Sequence, residues 1–167
     1  MIYVKDDFFI DERIVDIIND EQSEFQEVTV GDKSFWVKTP NEEFVRLVRR
    51  KIQNLESNDI EVIFSFFREA KEGQDNDWRI HNDSIINGQQ PDRAAVLYIS
   101  ENNNEGLNGT AFWEHKVFGD KFVSEEAEEF NRMLIEESNE IRNWELKTVI
   151  GHKKNRLISY PCNYFHS

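Results

Sequence analysis

The spacing of apolar residues changes near residue 60, and this change limits the folds that the chain can adopt. Before it, apolar residues recur at helical spacing over residues 6–19 and again beyond Thr39-Pro40-Asn41-Glu42, a helix start with Thr39 as its cap. A hairpin around Gly31-Asp32-Lys33 is predicted between the two helices, over residues 25–38. After the change, short β-branched and aromatic runs alternate with turn residues, which is typical of strands. The order predicts an α+β fold that is mainly β, and its short strands favour a jelly roll or barrel over a parallel sheet.

The second part of the chain contains a series of predicted strands interrupted by one helix. The strands cover residues 60–67, 77–86, 93–100, 109–118, 144–150 and 156–166, and the helix covers residues 124–139. Residues 93–100 are apolar at both odd and even positions, which predicts a strand buried on both faces. Because neither a repeat nor a long linker divides the sequence, residues 1–167 are predicted to form a single domain.

The acidic composition excludes some classes of partner. The 167 residues carry a formal net charge of −13, which repels phosphate and excludes broad nucleic-acid binding. No apolar run is long enough to span a membrane, and the start of the chain has no signal-peptide layout. A cytoplasmic protein is therefore expected (in the host cytoplasm if the source is viral), with no membrane partner. Cys162 is the only cysteine, and a small buried residue is its favoured interpretation.

Two histidines and one aspartate form the main candidate site. His81 and Asp83 are two positions apart, so both side chains would point to one face of an extended strand. His166 follows on a later predicted strand. Two imidazoles and one carboxylate can occupy three corners of one face of an octahedron, which leaves three positions for a reactant and oxygen. A His-x-Asp fragment alone is common by chance in a chain so rich in Asp, so the order of the surrounding elements carries the argument.

That order resembles the iron(II)- and 2-oxoglutarate-dependent dioxygenases, in particular their prolyl-hydroxylase-like branch and its phage and bacterial relatives. The resemblance covers residues 60–166. The matching segments, in family order, are Arg79-Ile80-His81-Asn82-Asp83, Ala95-Val96-Leu97-Tyr98-Ile99-Ser100, Gly109-Thr110-Ala111-Phe112-Trp113, Asn155-Arg156-Leu157-Ile158-Ser159-Tyr160-Pro161 and Phe165-His166. The resemblance implies a double-stranded β-helix, a form of jelly roll, with the N-terminal helices packed outside it.

The resemblance also implies roles for individual residues. His81, Asp83 and His166 would bind Fe(II). Tyr98 would contact the carboxylate of 2-oxoglutarate in a pocket that Ala111 also lines, although a core tyrosine remains the alternative for Tyr98. The implied activity is hydroxylation of a small-molecule or peptidyl substrate, with 2-oxoglutarate and O2 as co-substrates. Neither the substrate nor the oligomeric state follows from the sequence.

The sequence departs from the family pattern after the last histidine. Family members usually carry an Arg or Lys on a further, final strand, where it pairs with the far carboxylate of 2-oxoglutarate. That strand is not found before the sequence ends at Ser167. Arg79, which shares the predicted face of His81, and Lys116, at the end of a later strand, are the candidates for the same role. Surface or ion-pair positions remain the alternative for both.

Two other functions fit the same three ligands. One is a cupin-like metal-binding protein without turnover, and the other is a metal-dependent hydrolase or isomerase that uses zinc or manganese on the same barrel. Consumption of 2-oxoglutarate distinguishes the dioxygenase from both. His115 shares its predicted face with Ala111, so a hydrogen bond to substrate and a structural role are both open for it.

Overall fold

The structure, a computed structural model, is mainly β in the residues that it describes, which are 1–11, 13–15, 24–30, 33–71, 74, 77–83, 89, 91–101, 108–123 and 127–167. The elements, numbered along the chain, are β1 (Tyr3–Lys5), β2 (Gln26–Val30), β3 (Lys33–Lys38), α1 (Glu42–Glu56), β4 (Phe67–Glu69), β5 (Arg93–Tyr98), β6 (Gly109–His115), α2 (Ala127–Glu137), β7 (Trp144–Gly151) and β8 (Arg156–Pro161). A short 3-10 helix, Ile141–Asn143, precedes β7. Within this described part, none of the helices has the length and apolar character needed to cross a membrane.

Contacts between residues divide the chain into two compact units. The larger unit consists of residues 1–21 and 77–167, and the smaller one of residues 22–76. A single domain is predicted because the sequence contains no long linker. In the structure, the smaller unit is one continuous segment that lies, in sequence, between the two segments of the larger unit. All three residues of the predicted metal site belong to the larger unit.

The smaller unit combines a three-stranded antiparallel sheet, in the order β2-β3-β4, with helix α1. Val30 lies opposite Lys33, so the predicted hairpin is confirmed. The ring of Phe44 in α1 lies 5.3 Å from the ring of Phe67 in β4, which attaches the helix to the sheet. The buried ammonium of Lys38 lies 5.2 Å from the centroid of the Phe67 ring, and this cation–π contact offsets part of its desolvation.

Helix α1 begins at Glu42, two residues later than the sequence predicts. Asn41, rather than Thr39, is the N-cap, and its Oδ1 accepts a hydrogen bond from the backbone N–H of Phe44 at 2.8 Å. Asn is preferred over Thr at the N-cap position, which explains why Asn41 caps the helix.

The predicted strand over residues 60–67 is wrong. Only Phe67–Glu69 pairs with a neighbour, which is β3. The rings of Phe64 and Phe66 contact each other at 5.2 Å and are 55% and 47% exposed. The run has the residue types of a strand, but a strand also needs a partner for its backbone, and none of the described segments supplies one before Phe67.

The first sheet of the larger unit is antiparallel, in the order β1-β8-β5. Tyr3 lies opposite Ser159, and Tyr98 lies opposite Arg156. Just after β1, Asp6 accepts hydrogen bonds from Nε and Nη2 of Arg156 at 2.5 and 3.0 Å. These hydrogen bonds, together with one from a lysine, hold the pKa of the Asp6 carboxyl well below its usual range. The ion pair fixes the end of β1 to the start of β8.

The second sheet of the larger unit is built around β6. One edge of β6 pairs with β7 in antiparallel register, with a bulge between Phe112 and Trp113. Its other edge receives the last residues of the chain, because Ser167 and Ala111 exchange backbone hydrogen bonds of 2.9 and 3.0 Å. His166 forms isolated bridges both to Phe112 and to residue 81. The last residues therefore lie between β6 and the segment that carries the predicted His-x-Asp fragment.

The two sheets contact each other through one aromatic cluster. Phe112 of β6 packs with Ile158 and Tyr160 of β8, and the rings of Phe112 and Tyr160 meet edge to face at 5.0 Å. The opposite face of β6 carries Trp113, which packs against Phe165 and helix α2. Alternate residues of β6 thus face the other sheet and the helix, as strand geometry requires.

Most predicted elements of the larger unit are present with shorter bounds. The predicted strand 93–100 is present as β5, but its residues are half-buried or exposed rather than buried on both faces, because β5 lies at an edge of its sheet. The predicted strand 156–166 ends at Pro161 and resumes only as bridges after a turn. The strand predicted over residues 77–86 is represented by a bridge at His81, and residues 84–88 lie outside the described part.

The predicted first helix falls mostly on residues that the structure does not describe. Residues 13–15 are helical, while residues 12 and 16–19 lie outside the described part. Residues 6–11 are not helical, so the predicted start there is wrong. Their backbone is held elsewhere, since Phe8 N–H donates to the carbonyl of Asn155 at 3.0 Å.

Candidate metal centre

The backbones of His81 and His166 form a hydrogen-bonded antiparallel pair. Each residue donates its N–H to the carbonyl of the other, at 2.9 and 2.8 Å. Residues directly opposite each other in such a pair project their side chains to the same face. Their neighbours Ile80 and Phe165 pack on the other face, with the core beside helix α2. The two imidazoles therefore face the cluster between the sheets, and the ring of His166 lies 4.9 Å from that of Tyr160.

Asp83 joins the two histidines from the same segment as His81. Its backbone N–H donates to the carbonyl of Cys162 at 2.8 Å, which holds the segment against the turn after β8. Its Oδ2 lies 3.3 Å from Nε2 of His166. One potential ligand atom from each of the three residues lies within 4.8 Å of the other two. The structure thus brings together the three side chains that the sequence proposes as ligands.

Backbone carbonyls orient both imidazoles. Nδ1 of His81 lies 2.8 Å from the carbonyl oxygen of Arg79, and Nδ1 of His166 lies 3.0 Å from that of Tyr164. Because a carbonyl oxygen only accepts, the hydrogen in each contact belongs to Nδ1. Such a contact fixes the ring orientation and leaves Nε2 as the ligating atom, an arrangement that recurs around metal-bound histidines.

The electrostatics of the group favour the protonation states of metal ligands. Although part of His81 is exposed to solvent, desolvation by the protein packed around its imidazole and then the charge of His166 lower its pKa to about 4, so the imidazole is neutral at neutral pH. Burial acts to raise the pKa of Asp83, but the adjacent Nε2 of His166 and the charge that either histidine carries when protonated outweigh it and hold that pKa below its usual range. A neutral imidazole and an ionised carboxylate are the forms that bind metal.

Access to the group is from the side of His81. His81 is exposed, whereas the side chain of Asp83 is 28% and that of His166 only 7% exposed. A surface cavity of about 490 Å³ lies between residues 79–81 and helix α2, on the face of this segment opposite to the imidazoles. Within the group itself, His81 is therefore the most accessible of the three side chains and His166 the least.

The donor set suits a divalent transition metal. Two imidazole nitrogens and one carboxylate oxygen are the combination that iron, cobalt, nickel or zinc accepts, whereas calcium and magnesium prefer oxygen ligands alone. Three ligands on one side of an ion leave the other side free for a reactant. Among the described residues, this is where histidine, cysteine and acidic side chains converge with suitable spacing for a metal.

Tyr98 lies in the cluster between the sheets. It packs with Phe112 and Tyr160, and its hydroxyl is hydrogen-bonded to Oγ1 of Thr110 at 2.7 Å. The ring of His152 stacks on it at 4.4 Å. Burial raises the pKa of Tyr98, so its hydroxyl stays protonated. Tyr98 therefore shares a cluster with Tyr160, the residue that contacts His166, but its hydroxyl already has a protein partner.

The other three predicted co-substrate residues lie in different surroundings. The ammonium of Lys116 donates to the backbone carbonyl of Arg142, on the protein surface. Ala111 packs with Trp113 against the core beside α2, on the face of β6 opposite to Phe112, because strand residues alternate. Arg79 lines the cavity beside His81. Of these three, the structure brings only Arg79 next to the metal-binding group.

His115 is part of a buried hydrogen-bond network. Its Nε2 lies 3.1 Å from Oε2 of Glu137, and its Nδ1 accepts from the backbone N–H groups of Val117 and Phe118 at 3.3 and 3.2 Å. Both ring nitrogens are therefore satisfied by the protein. Of the two roles left open for His115, the structure supports the structural one.

Sequence reasoning missed Tyr160 as a residue of the site. It is 2% exposed and lies against His166, but its only sequence signal is its shared parity with Ile158 on the strand before that histidine. Cys162 agrees with its interpretation as a buried residue: burial and then the charge of Asp83 raise the pKa of its thiol to about 11.

Comparisons with models of protein families, with curated proteins and with solved structures found no match for this chain. The functional argument therefore rests on the geometry of the site.

Proposed function

We propose that this protein is an iron(II)- and 2-oxoglutarate-dependent oxygenase that hydroxylates its substrate. The observation that carries the proposal is the convergence of His81, Asp83 and His166, with both imidazoles turned by backbone carbonyls so that Nε2 is available. Two histidines and one carboxylate on one side of the ion, with free positions on the other, are typical of non-haem iron oxygenases.

The order of the strands supports the same proposal. In the second sheet, β7, β6, the last residues of the chain and the segment of His81 are neighbours in that order. The sheet of β1, β8 and β5 faces it through Phe112 and Tyr160. Two facing antiparallel sheets with the ligands on the inner face of one are consistent with a double-stranded β-helix, and we propose that architecture for the larger unit.

In this proposal the bound iron, with 2-oxoglutarate and O2, supplies the oxidation of a C–H bond to an alcohol, while succinate and carbon dioxide are released. The protein provides the ligands and their protonation states. Phe112 and Tyr160 shield the inner side of the site from water. Substrate would approach from the exposed side of His81, and Arg79, two residues before it, is a candidate for contact with an anionic group.

Anaerobic titration with Fe(II) tests the metal site. Loss of a hydrogen-bond partner of a metal ligand already costs about 10–100-fold in affinity. We therefore expect His81→Ala and Asp83→Ala each to weaken Fe(II) binding by at least about 100-fold. His152→Ala is the matched control, because it removes a histidine outside the group. Wild-type affinity in His81→Ala, with the fold intact by circular dichroism, would contradict the assignment.

Consumption of 2-oxoglutarate tests the reaction class. The iron-loaded wild-type protein should release succinate slowly even without its substrate, and Asp83→Ala should not. A protein that binds the metal tightly but consumes no 2-oxoglutarate, alone or with candidate substrates, is a binding protein or a hydrolase on the same fold. That result would reject the oxygenase proposal.

A further inference from the structure

The end of helix α2 holds the segment that carries His81. The backbone N–H of Arg79 donates to Oδ1 of Asn139 at 2.8 Å, and the next N–H, that of Ile80, donates to the carbonyl of Ser138 at 3.0 Å. Ser138 and Asn139 are the two residues that directly follow α2. Of these two hydrogen bonds, only the one to Asn139 uses a side chain, so it is the one that a substitution can remove.

Arg79 has a backbone conformation that arginine rarely adopts. Its φ of 42° lies in the left-handed region, where a residue with a Cβ is disfavoured. Such residues persist where the surrounding structure holds them firmly, and they cluster at functional sites. The two hydrogen bonds to the end of α2 hold the peptide groups on both sides of the Arg79 Cα. Together they maintain its left-handed conformation.

The peptide group between Arg79 and Ile80 connects this conformation to the metal-binding group. Its N–H donates to Ser138, and its carbonyl accepts from Nδ1 of His81 at 2.8 Å. The second of these hydrogen bonds orients the imidazole and leaves Nε2 as the nitrogen that can bind a metal. A change of φ at Arg79 would turn this carbonyl away from the ring of His81.

We propose that Asn139 is a positioning residue for the metal site. It keeps Arg79 in the left-handed conformation in which the Arg79 carbonyl holds the imidazole of His81. The inference rests on the metal-binding part of the proposed function and not on the reaction. Loss of the Asn139 oxygen would leave all three ligands in the chain, but it would remove one of the two bonds that fix the orientation of the first.

The test is Asn139→Ala, which removes the acceptor of the Arg79 N–H. Fe(II) affinity is measured by anaerobic calorimetric titration well below the melting temperature, and thermal unfolding is followed separately without metal. Loss of a direct hydrogen-bond partner of a metal ligand costs about 10–100-fold in affinity. Because Asn139 acts through Arg79, we expect a smaller loss of Fe(II) affinity, about 3–10-fold.

Asn131→Ala is the matched control. Asn131 is an exposed asparagine on α2 itself, and among the described contacts no hydrogen bond joins it to residues 79–81. The control should bind Fe(II) as tightly as the wild-type protein.

Two further variants separate positioning from a general loss of structure. Asn139→Asp keeps an oxygen acceptor for the Arg79 N–H, so its Fe(II) affinity should stay close to that of the wild type. Arg79→Gly introduces the residue that adopts the left-handed region without steric cost. In that background the bond to Asn139 is no longer needed to hold the conformation. Adding Asn139→Ala should therefore lower Fe(II) affinity by less than it does in the wild type.

The outcomes that overturn the inference differ from those that reject the reaction. Unchanged Fe(II) affinity in Asn139→Ala, with or without a lower melting temperature, would show that Asn139 only supports the fold. An equal loss of affinity in the wild-type and Arg79→Gly backgrounds would show that Asn139 does not act through Arg79. No binding of Fe(II) by the wild-type protein would overturn the inference together with the proposed metal site. Fe(II) binding without consumption of 2-oxoglutarate rejects the oxygenase alone, because the expected changes concern metal affinity.

Discussion

Asn155 shows how one residue fixes the start of the chain to the larger unit. It is 1% exposed, and its backbone is left-handed, with φ of 63°. Its Oδ1 accepts from the backbone N–H of Phe9 at 2.9 Å, and its Nδ2 donates to the Phe9 carbonyl at 2.8 Å. Asparagine both tolerates the left-handed region and supplies this pair of bonds, so few other residue types suit the position.

We expect Asn155→Ala to lower the free energy of unfolding by about 2–4 kcal/mol. The substitution removes the two hydrogen bonds that the Asn155 side chain makes to the backbone of Phe9, and it places a residue that tolerates positive φ less well at this position. Urea denaturation measures the change, and Asn163→Ala is the control because Nδ2 of Asn163 makes only a 3.4 Å contact. A loss no larger than that of the control would show that Asn155 does not hold Phe9.

At the residue scale, the sequence could predict side chains but not the backbone groups that orient them. The spacing of His81 and Asp83 predicts a shared face, and the structure brings both to His166. The carbonyl of Arg79 that holds the His81 ring depends on a left-handed residue, with φ of 42°, whose N–H donates to Oδ1 of Asn139 at 2.8 Å. Arginine gives no sequence signal for that conformation, which is imposed by the end of α2.

At the scale of elements, the end of α1 contains a residue that strains the backbone. Ser57 follows the helix in the left-handed region, with φ of 57° and ψ of 30°. This is the position at which helices most often carry glycine, because a side chain is disfavoured there.

Ser57→Gly should stabilise the smaller unit by about 0.5–1 kcal/mol, because glycine adopts the left-handed conformation without steric cost. Chemical denaturation gives the measurement. Ser65→Gly is the control, since Ser65 is not among the described residues with positive φ and the same change there adds only flexibility. Destabilisation of Ser57→Gly to the level of the control would refute the strain argument.

Elements with their own local signals are predicted well, whereas those that depend on a distant partner are not. The apolar periodicity of α1 and the sequence pattern of the β2–β3 hairpin are local signals, and the helix and the paired strands are both present. The run before Phe67 has strand-forming residues without a strand, because pairing is decided by which neighbour is available. β5 is less buried than its apolar sequence predicts, because its position at an edge is a property of the whole sheet.

At the scale of the whole molecule, the division into two units has no signal in the sequence. The larger unit is assembled from residues 1–21 and 77–167 through pairings such as β1 with β8. No glycine- or proline-rich linker marks the boundaries, so only long-range contacts reveal them. The same holds for the neighbouring positions of His81 and His166, which depend on backbone pairing between distant segments.

Metal binding should stabilise the whole larger unit, because the three ligands converge only in the folded state. A ligand at about 100 times its dissociation constant adds about 2.7 kcal/mol to the free energy of unfolding. For a protein of this size we expect Fe(II), or Co(II) as an air-stable substitute, to raise the melting temperature by about 5–10 °C relative to a chelator. Differential scanning calorimetry gives the shift.

Asp83→Asn is the matched variant for this measurement, because it keeps the shape of the side chain and removes the charge that binds the metal. Its melting temperature should be nearly the same with metal and with chelator. An equal metal-dependent rise in the variant and the wild type would show that the stabilising ion binds elsewhere.

The place of His166 between β6 and the segment of His81 also has a consequence for the order of events during synthesis. A ribosome delivers β6 and the His81 segment first, and the residues that join them come later. Until then, the facing edges of both segments lack their neighbour, and exposed strand edges are the surfaces through which nascent chains associate wrongly. The continuous segment 22–76, by contrast, is complete early. The pairing that brings His166 beside His81 therefore cannot form until residue 166 has been synthesised.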